Sequence, residues 1–249
     1  IPGANLHYKD AVELVTEGAA VVCLAVEQEV MACTSRNVVA RIEGTDKKDE
    51  ILTLTAHYDS VPEGPGAYDN MAGAAIIMEL CRYFQQYRPR RTMEFVWFGA
   101  EEKGLLGSRD YIRVHESELG AHRFNMNVDL AGQLIGGNVL GVTGEASVCD
   151  KLLEIADGAG IGASVKNQIW GSDSNSFAWK GIPAMTLNRD GFGMHTRYDT
   201  IDLLSAWSLE RSAILLGCIA DELGNAEVFP FERKMPGKFI RELDEYMCR

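Results

Sequence analysis

Hydrophobic and polar positions follow two periods along the chain, one typical of buried strands and the other of amphipathic helices. Short runs rich in β-branched residues predict strands at 37–42, 51–55, 91–98, 124–130 and 184–187. Runs with helical spacing predict helices at about 71–87, 104–115, 146–158, 209–223 and 238–248. Strands and helices that alternate in this way are typical of a layered fold. We therefore predict an α/β domain with three α/β/α layers around a central mixed, mostly parallel sheet.

The start of the chain differs in character from the rest. A short helix is predicted at 10–17 and an apolar strand at 19–26, and the chain begins without a Met. We expect residues 1–34 to be the tail of a preceding domain and residues 35–249 to form the main domain. The charged segment 43–48, between the first two strands of that domain, is typical of a hairpin turn.

Composition narrows the class of protein. Of the 249 residues 46% are hydrophobic and 24% are charged, which excludes a disordered or collagen-like chain. No apolar stretch approaches the roughly 18 residues of a membrane span. The net charge is −12 with no block of basic residues. We expect no nucleic acid partner, because binding to the phosphate backbone needs a concentrated basic surface. The six cysteines lack the spacing of a zinc finger, and their positions allow one disulfide without requiring it.

Five short segments carry side chains suited to metal chemistry, and each lies at the end of a predicted strand or in the following loop. They are His57-Tyr58-Asp59, Gly66 to Asn70, Gly99 to Glu102, Asn127-Val128-Asp129 and Met194-His195-Thr196. Singly each has an ordinary explanation, since a lone histidine is usually a core or surface residue and an acidic pair often begins a helix. Their shared position is informative, because α/β sheets bind ligands beyond the carboxyl ends of their strands.

Several buried carboxylates would repel one another unless cations compensated their charge. Imidazole and carboxylate ligands without thiolate suit catalytic zinc, with manganese or cobalt as possible substitutes. The sequence therefore predicts a site for divalent cations at this edge of the sheet.

Seven ordered segments between about Ser35 and Leu223 resemble the co-catalytic di-zinc aminopeptidases, the family of the bacterial leucyl aminopeptidases and, more distantly, of glutamate carboxypeptidase. They are SRNVVARIEGT, LTAHYDSV, GPGAYDNMAGAA, EFVWFGAEEKGLLGS, NVDLAG, SDSNSFAWKGIPA and HTRYDT. The opening IPGANLHYKDAVELV is similar to the end of the protease-associated domain that such enzymes often carry. The resemblance favours a secreted or cell-envelope location, and the cytoplasm stays open as an alternative.

The resemblance implies two zinc ions per chain and one carboxylate that bridges them. The implied ligands are His57 and Asp129 for one ion, Glu102 and His195 for the other, and Asp69 for both. Glu101 would be the general base, taking a proton from water and passing it to the leaving amine.

Two further carboxylates receive supporting roles by the resemblance. Asp59 would accept the second ring N–H of His57 and fix its tautomer, with a turn-forming aspartate as the alternative. Asp199 is a weaker candidate for a similar role or for a cap.

Backbone features also follow from the resemblance. Gly66 and Gly73 would let the chain turn sharply beside Asp69 and let the next helix approach the sheet. The peptide bond between Asp69 and Asn70 is expected to be cis.

The chain departs from some relatives, which carry a tyrosine shortly before the SD pair. The stretch here is NQIWGSD, so Tyr68, Tyr198 or a backbone N–H is expected to polarise the substrate carbonyl instead. Trp170 and Phe192 are expected to line an apolar pocket, whereas Phe177 suits the pocket and the core equally.

Together these features predict an exopeptidase that removes the N-terminal residue, large and apolar, from peptides with a free N-terminus. The enzymatic alternative is a carboxypeptidase or a deacylating amidohydrolase on the same ions. A carboxypeptidase would need an arginine cluster, for which Arg189 and Arg197 are the nearby candidates. A single-zinc glutaminyl cyclase is disfavoured by the five ligands. They also count against a catalytically inactive binding domain.

Overall fold

The computed structural model describes residues 6–248 except 26, 28 and 30, and the chain divides into two compact units, residues 1–34 and 35–249. The first unit contains helix α1 (Tyr8–Thr16), whose side chains are all at least partly exposed. The predicted strand at 19–26 is wrong over residues 19–25, while residue 26 lies outside the described residues. Val21 is 87% exposed. An apolar run becomes a strand only when its backbone pairs with another strand, and residues 19–25 pair with no strand among the described residues.

The second unit contains a sheet of seven strands. They are β1 (Val38–Ile42), β2 (Lys47–His57), β3 (Arg91–Phe98), β4 (His122–Val128), β5 (Asn138–Thr143), β6 (Ala163–Asn167) and β7 (Ala184–Arg189). The α-helices of its described residues are α2 (Ala72–Gln86), α3 (Leu106–Val114), α4 (Ala146–Gly158), α5 (Ser174–Trp179), α6 (Ala206–Asn225) and α7 (Gly237–Met247). The predicted helices and strands of this unit all form. Strands β5 and β6 and helix α5 were not predicted.

The strand order is β1-β3-β2-β4-β7-β5-β6, and the central strands β3, β2, β4 and β7 run parallel. The predicted hairpin is therefore wrong, because β3 lies between β1 and β2. The connection 43–46 passes over the start of β3, where the Gly44 N–H donates to Thr92 Oγ1 at 3.1 Å. A Cβ on Gly44 would lie 2.3 Å from the carbonyl oxygen of Arg90, so this close crossing requires glycine.

Helices cover both faces of the sheet, which confirms the predicted three-layer fold. Helices α2, α4 and α6 pack on one face and α3, α5 and α7 on the other. Along β3, Met93 and Phe95 pack in the apolar core on the side of α2, α4 and α6, whereas Val96 and Phe98 pack in the core on the side of α3 and α5. None of the described helices has the length and apolar character that crossing a membrane requires.

The parallel strands determine where the chemistry gathers. Strand β2 ends at His57, and β4 ends immediately before Asp129. The loops after β3 and β7 carry Glu101 and His195. Because parallel strands present their carboxyl ends at one edge, these side chains converge there.

Candidate metal centre

Asp69 lies at the centre of the cluster, between two imidazoles. The Nε2 atom of His57 lies 3.2 Å from Asp69 Oδ1, and the Nε2 atom of His195 lies 3.1 Å from Asp69 Oδ2. Each imidazole also faces a second carboxylate. His57 Nε2 lies 3.3 Å from Asp129 Oδ1, and His195 Nε2 lies 3.1 Å from Glu102 Oε2. The structure thus brings all five predicted ligands together around Asp69.

The donor set fits two divalent cations. Among the described residues, ligand atoms that all lie within 4.8 Å of one another form two groups, His57 with Glu101 and Asp129, and Asp69 with Glu102 and His195. Atoms held at about 2.0–2.2 Å by a tetrahedral ion lie roughly 3.3 Å apart, close to the separations between the imidazole and carboxylate atoms here. The buried Oε1 of Glu102 has no hydrogen-bond partner, which is costly for a carboxylate and which a cation would relieve.

The electrostatics of the cluster favour cations. Burial raises the pKa of Glu101 to about 9, and neighbouring Asp173 and Asp129 add to the rise against the opposing charge of His57. Burial also raises the pKa of Glu102. Burial lowers the pKa of His57, but the charge and hydrogen bond of Asp129 outweigh it, so this pKa lies well above its ordinary value. Divalent cations would displace the protons that this cluster retains.

The ring of His57 is held in a tautomer suited to a metal ligand. Its Nδ1 lies 3.1 Å from the backbone carbonyl oxygen of Asp59, an atom that can only accept, so Nδ1 carries a proton and donates. In the neutral ring, Nε2 then keeps its lone pair toward Asp69 and Asp129.

The carboxylate of Asp59 differs from the expected arrangement, because its Oδ1 lies 3.6 Å from the Nδ1 atom of His57. It accepts instead the backbone N–H groups of Glu101 at 3.0 Å and Glu102 at 3.3 Å. Burial raises the pKa of Asp59, but the positive charge of the nearby His57 ring and the hydrogen bonds from these amides outweigh it and leave the pKa lowered. Asp59 thereby links the end of β2 to the loop after β3.

Glycines allow the chain to pass close to Asp69, as expected. Gly66 has φ +69°, and a Cβ there would lie 2.4 Å from Ser60 Cβ. A Cβ on Gly73, in the first turn of α2, would lie 2.4 Å from Asn70 Oδ1 and 2.9 Å from the carbonyl oxygen of Val128. The expected cis peptide bond between Asp69 and Asn70 is present, within an irregular turn over Ala67–Met71.

Left-handed backbone conformations are concentrated around the cluster. Three non-glycine residues there have positive φ: Ala100 at 59°, Leu130 at 67° and His195 at 58°. Each one is a predicted ligand or is adjacent in sequence to a predicted site residue. Such conformations cost about 1–3 kcal/mol each and occur most often at functional sites.

The two tyrosines proposed to polarise a carbonyl differ in their surroundings. The hydroxyl of Tyr68 is buried and donates to the backbone carbonyl of Arg189. Tyr198 is 60% exposed, and its hydroxyl accepts a hydrogen bond from Arg197. Tyr68 is therefore already engaged, whereas Tyr198 faces solvent three residues from His195.

The aromatic residues expected at the pocket separate in the structure. Phe177 is fully buried in the core beside Phe98, which decides between the two alternatives for it. Trp170 packs over Gly141 of β5, because a Cβ on Gly141 would lie only 2.7 Å from the ring of Trp170. Phe192 is 56% exposed in the loop that leads to His195.

Sequence reasoning missed Asp173, which lies at the start of α5 and is completely buried. Neither oxygen has a hydrogen bond of normal geometry. Burial raises its pKa to about 7, with His57 and Ser108 counteracting this in part. The available signals were the SD pair within the segment SDSNSFAWKGIPA and the polar run Ser172 to Ser176.

Comparison with known proteins identifies the family. Residues 37–217 match the model of Peptidase family M28. The chain belongs to peptidase family M28. This M28 chain is 30% identical over 175 residues to aminopeptidase YwaD of Bacillus subtilis, covering 70% of the chain and 35% of that protein. It is also 30% identical over 199 residues to leucine aminopeptidase 2 of Trichophyton rubrum, covering 74% of the chain and 40% of that protein.

Solved structures support the fold of this M28 chain. The structure of BSAP, a zinc aminopeptidase from Bacillus subtilis, superimposes with a TM-score of 0.71 at 26% identity, covering 82% of this chain and 53% of that one. A glutaminyl cyclase from an Acidobacteriales bacterium shares the fold, with a TM-score of 0.63 at 20% identity, 75% of this chain and 73% of that one. The M28 chain spans well under half the length of the two curated aminopeptidases named above.

Proposed function

We propose that this chain is the catalytic domain of a di-zinc aminopeptidase, which hydrolyses the first peptide bond of peptides with a free N-terminus. The observation that carries the proposal is the position of Asp69, whose two oxygens each face a different imidazole, His57 and His195. A carboxylate placed in this way suits a bridge between two cations. Membership of family M28 and the similarity to zinc aminopeptidases support the same reading.

Five side chains would hold the two ions. They are His57 and Asp129 on one side, Glu102 and His195 on the other, and Asp69 between them. Two zinc ions bound here would polarise the scissile carbonyl and activate a water molecule.

Glu101 would be the general base. Its carboxylate lies near the ligand atoms of His57 and Asp129. Its backbone N–H donates to Asp59 at 3.0 Å, and this hydrogen bond would hold Glu101 beside the ions without requiring it as a ligand. There it would take the proton of the attacking water and deliver it to the leaving amine. Its retention of a proton at neutral pH without cations fits this shuttle, because nearby cations would lower its pKa toward the working range.

Substrate recognition is expected to depend on the free α-ammonium group. Glu101 and Asp129 are the carboxylates that lie near His57, and they would attract the ammonium group of the substrate. The net charge of −12 adds to this attraction. Phe192 and Met194 are 56% and 44% exposed beside His195, so apolar surface is available for the first side chain of a peptide. We therefore propose a preference for large apolar N-terminal residues.

The two arginines considered for the carboxypeptidase alternative have separate roles. Arg189 Nε donates to the backbone carbonyl of Gln133 at 2.8 Å. Arg197 packs on the ring of Tyr198 and donates to its hydroxyl. These separate contacts favour recognition of a free amine over recognition of a terminal carboxylate.

Turnover of Leu-nitroanilide and its N-acetyl form tests the proposal. Acetylation removes the ammonium charge and leaves buried carboxylates unpaired, so the acetylated substrate should react at least about 100-fold more slowly. Chelation should abolish turnover, and added zinc should restore it. Equal rates on both substrates would favour the amidohydrolase, and a requirement for a free C-terminal carboxylate would favour the carboxypeptidase.

A further inference from the structure

Asp199 joins two segments of the proposed metal centre. It lies four residues after His195 and is 1% exposed. Its Oδ1 accepts the backbone N–H of Tyr68 at 2.6 Å, and its Oδ2 accepts the backbone N–H of Asp69 at 3.0 Å. Both oxygens of this buried carboxylate are therefore directed at the peptide groups that carry Asp69.

Backbone hydrogen bonds of Asp199 complete the connection. Its carbonyl oxygen accepts the N–H of Ala67 at 3.3 Å, and its own N–H donates to the carbonyl oxygen of Thr196 at 3.1 Å. The loop that carries His195 and the turn that carries Asp69 are thus connected through one residue.

Asn70 makes the equivalent connection toward β4. Its Nδ2 donates to the carbonyl oxygen of Val128 at 2.8 Å, and its Oδ1 accepts the N–H of Leu130 at 3.3 Å. The same Oδ1 accepts the N–H of Gly73 at 3.2 Å. These contacts lie on both sides of Asp129 in the sequence, so Asn70 holds Asp69 in position relative to Asp129.

We infer that Asp199 and Asn70 are positioning residues that set the distances from Asp69 to His195 on one side and to Asp129 on the other. Neither side chain is among the proposed ligands. Their contacts are to peptide groups at or beside the ligands and at the start of α2, and a bridge between two ions tolerates displacement of only about 0.5 Å. Removing the groups that orient ligands typically weakens metal binding about 10- to 100-fold. The inference rests on the proposed function, because it concerns the same five ligands.

Asp199→Asn tests the inference with minimal change of shape. Asparagine retains one acceptor oxygen and places an NH₂ group against an amide N–H, so one of the two contacts is lost. We expect the variant to fold and to bind its more weakly held zinc at least about 10-fold more weakly. Competition with a chromophoric chelator measures both dissociation constants. The visible spectrum of the cobalt-loaded protein, which reports ligand geometry, is expected to change.

Asp202→Asn is the matched control, because Asp202 is exposed in the same region and accepts only a 3.5 Å contact from Thr200. It should leave the zinc constants and the cobalt spectrum as in the wild type. The unfolding midpoint of each chelator-treated protein is measured in parallel. If Asp199→Asn does not fold, Asn70→Ser perturbs the same turn from the opposite side, with the same expected results.

The outcomes separate this inference from the proposed function. A wild-type protein that binds no zinc contradicts the proposed function itself. A wild type with two zinc ions, together with a folded Asp199→Asn variant of unchanged zinc constants and cobalt spectrum, overturns the positioning role. A variant with a lowered midpoint but unchanged zinc binding and spectrum also overturns it, because Asp199 would then serve stability alone.

Discussion

At the scale of single residues, the cluster shows how neighbouring carboxylates acquire different properties. Glu101 and Glu102 are adjacent in sequence, and both amides are held by Asp59. Their side chains nevertheless join different groups, Glu101 with His57 and Glu102 with His195. The proposed function assigns them different roles, with Glu101 as the base and Glu102 as a ligand.

The first prediction separates these two glutamates. Glu101→Gln should keep both metal ions while turnover falls by roughly three decades or more, because both proton transfers lose their carrier. Glu102→Gln should instead lower the metal content, since it removes a ligand oxygen from the group with His195. Metal analysis beside turnover measures both effects. Near-normal turnover of metal-loaded Glu101→Gln would show that another group is the base.

A second residue-scale prediction concerns stability in the presence of chelator. The pKa of Glu101 is about 9 in the folded protein against an ordinary value of 4.5, so between these pH values the folded state holds a proton that the unfolded state releases. Stability should therefore fall as pH rises through this window. Glu101→Gln removes this dependence and should stabilise the chelated protein at pH 8 by several kcal/mol, up to about 1.4 kcal/mol for each pH unit above 4.5, with little effect near pH 4.

Urea unfolding at several pH values in chelator checks this expectation. Asp173 contributes a slope of the same sign between its ordinary value of 3.8 and about 7. Its titration ends near pH 7 and its charge acts on Glu101, so the comparison of the two proteins is made between pH 7 and pH 9. If the stability of wild type and variant changed with pH in parallel, the raised pKa of Glu101 in the folded protein would be contradicted.

At the scale of elements, the start of α2 shows how a helix is brought against the sheet. Gly73 faces Asn70 and the end of β4, and its missing side chain lets the helix begin directly behind Asp69. A larger residue there would press the helix away from β4. The geometry of the metal centre and the packing of α2 are thus coupled.

Gly73→Ala is therefore expected to destabilise the protein by about 1–3 kcal/mol through overpacking and to weaken metal binding. Gly158→Ala is the matched control, since Gly158 also lies in a helix, α4, and a Cβ there meets nothing within 4 Å. That control should be neutral or more stable by up to about 1 kcal/mol. Denaturant unfolding of the two variants compares them, and equal stability would indicate that α2 can shift freely.

Helix α5 illustrates an element that sequence patterns conceal. It packs over β4 and β7, where many of the buried side chains of the sheet are polar and bond to one another. Thr55 donates to Asn127 Oδ1 at 2.8 Å, and Asn127 donates to Ser172 Oγ at 2.7 Å. Ser174 shares a 2.7 Å hydrogen bond with Thr186. Because the side chains buried here are polar, the pattern of apolar residues along the sequence gives little indication of which side chains face the interior.

At the scale of the whole molecule, the proposed ions should contribute to folding stability. A ligand at 100 times its dissociation constant adds about 2.7 kcal/mol, and a domain of this size gains about 2–4 °C per kcal/mol. Protein purified without chelator should contain two zinc ions per chain, and removing both by chelation should lower the unfolding midpoint by about 10–20 °C. Elemental analysis and a melting curve check both values. A stoichiometry that stays at one or below after reconstitution with zinc would contradict the bridged site.

The local sequence determined most of the helices and strands of residues 35–249, but not β5, β6 or α5, and it determined where the reactive side chains lie along the chain. Strand β3 and helix α4 have the predicted bounds, because a strong local pattern and clear turn residues determine them. The positions of His57, Asp129 and His195 after strands also follow from local pattern together with the rule for parallel sheets.

Only the tertiary structure decided which segments meet. The insertion of β3 between β1 and β2 depends on hydrogen bonds between strands about 40 residues or more apart in the sequence, which no local period encodes. The contact of Asp199 with the turn at Asp69 spans 130 residues, and the burial of Asp173 depends on a helix laid across a polar face. Local propensity governs the backbone of single elements, whereas pairing, burial and the distances between ligands arise only when distant segments pack together.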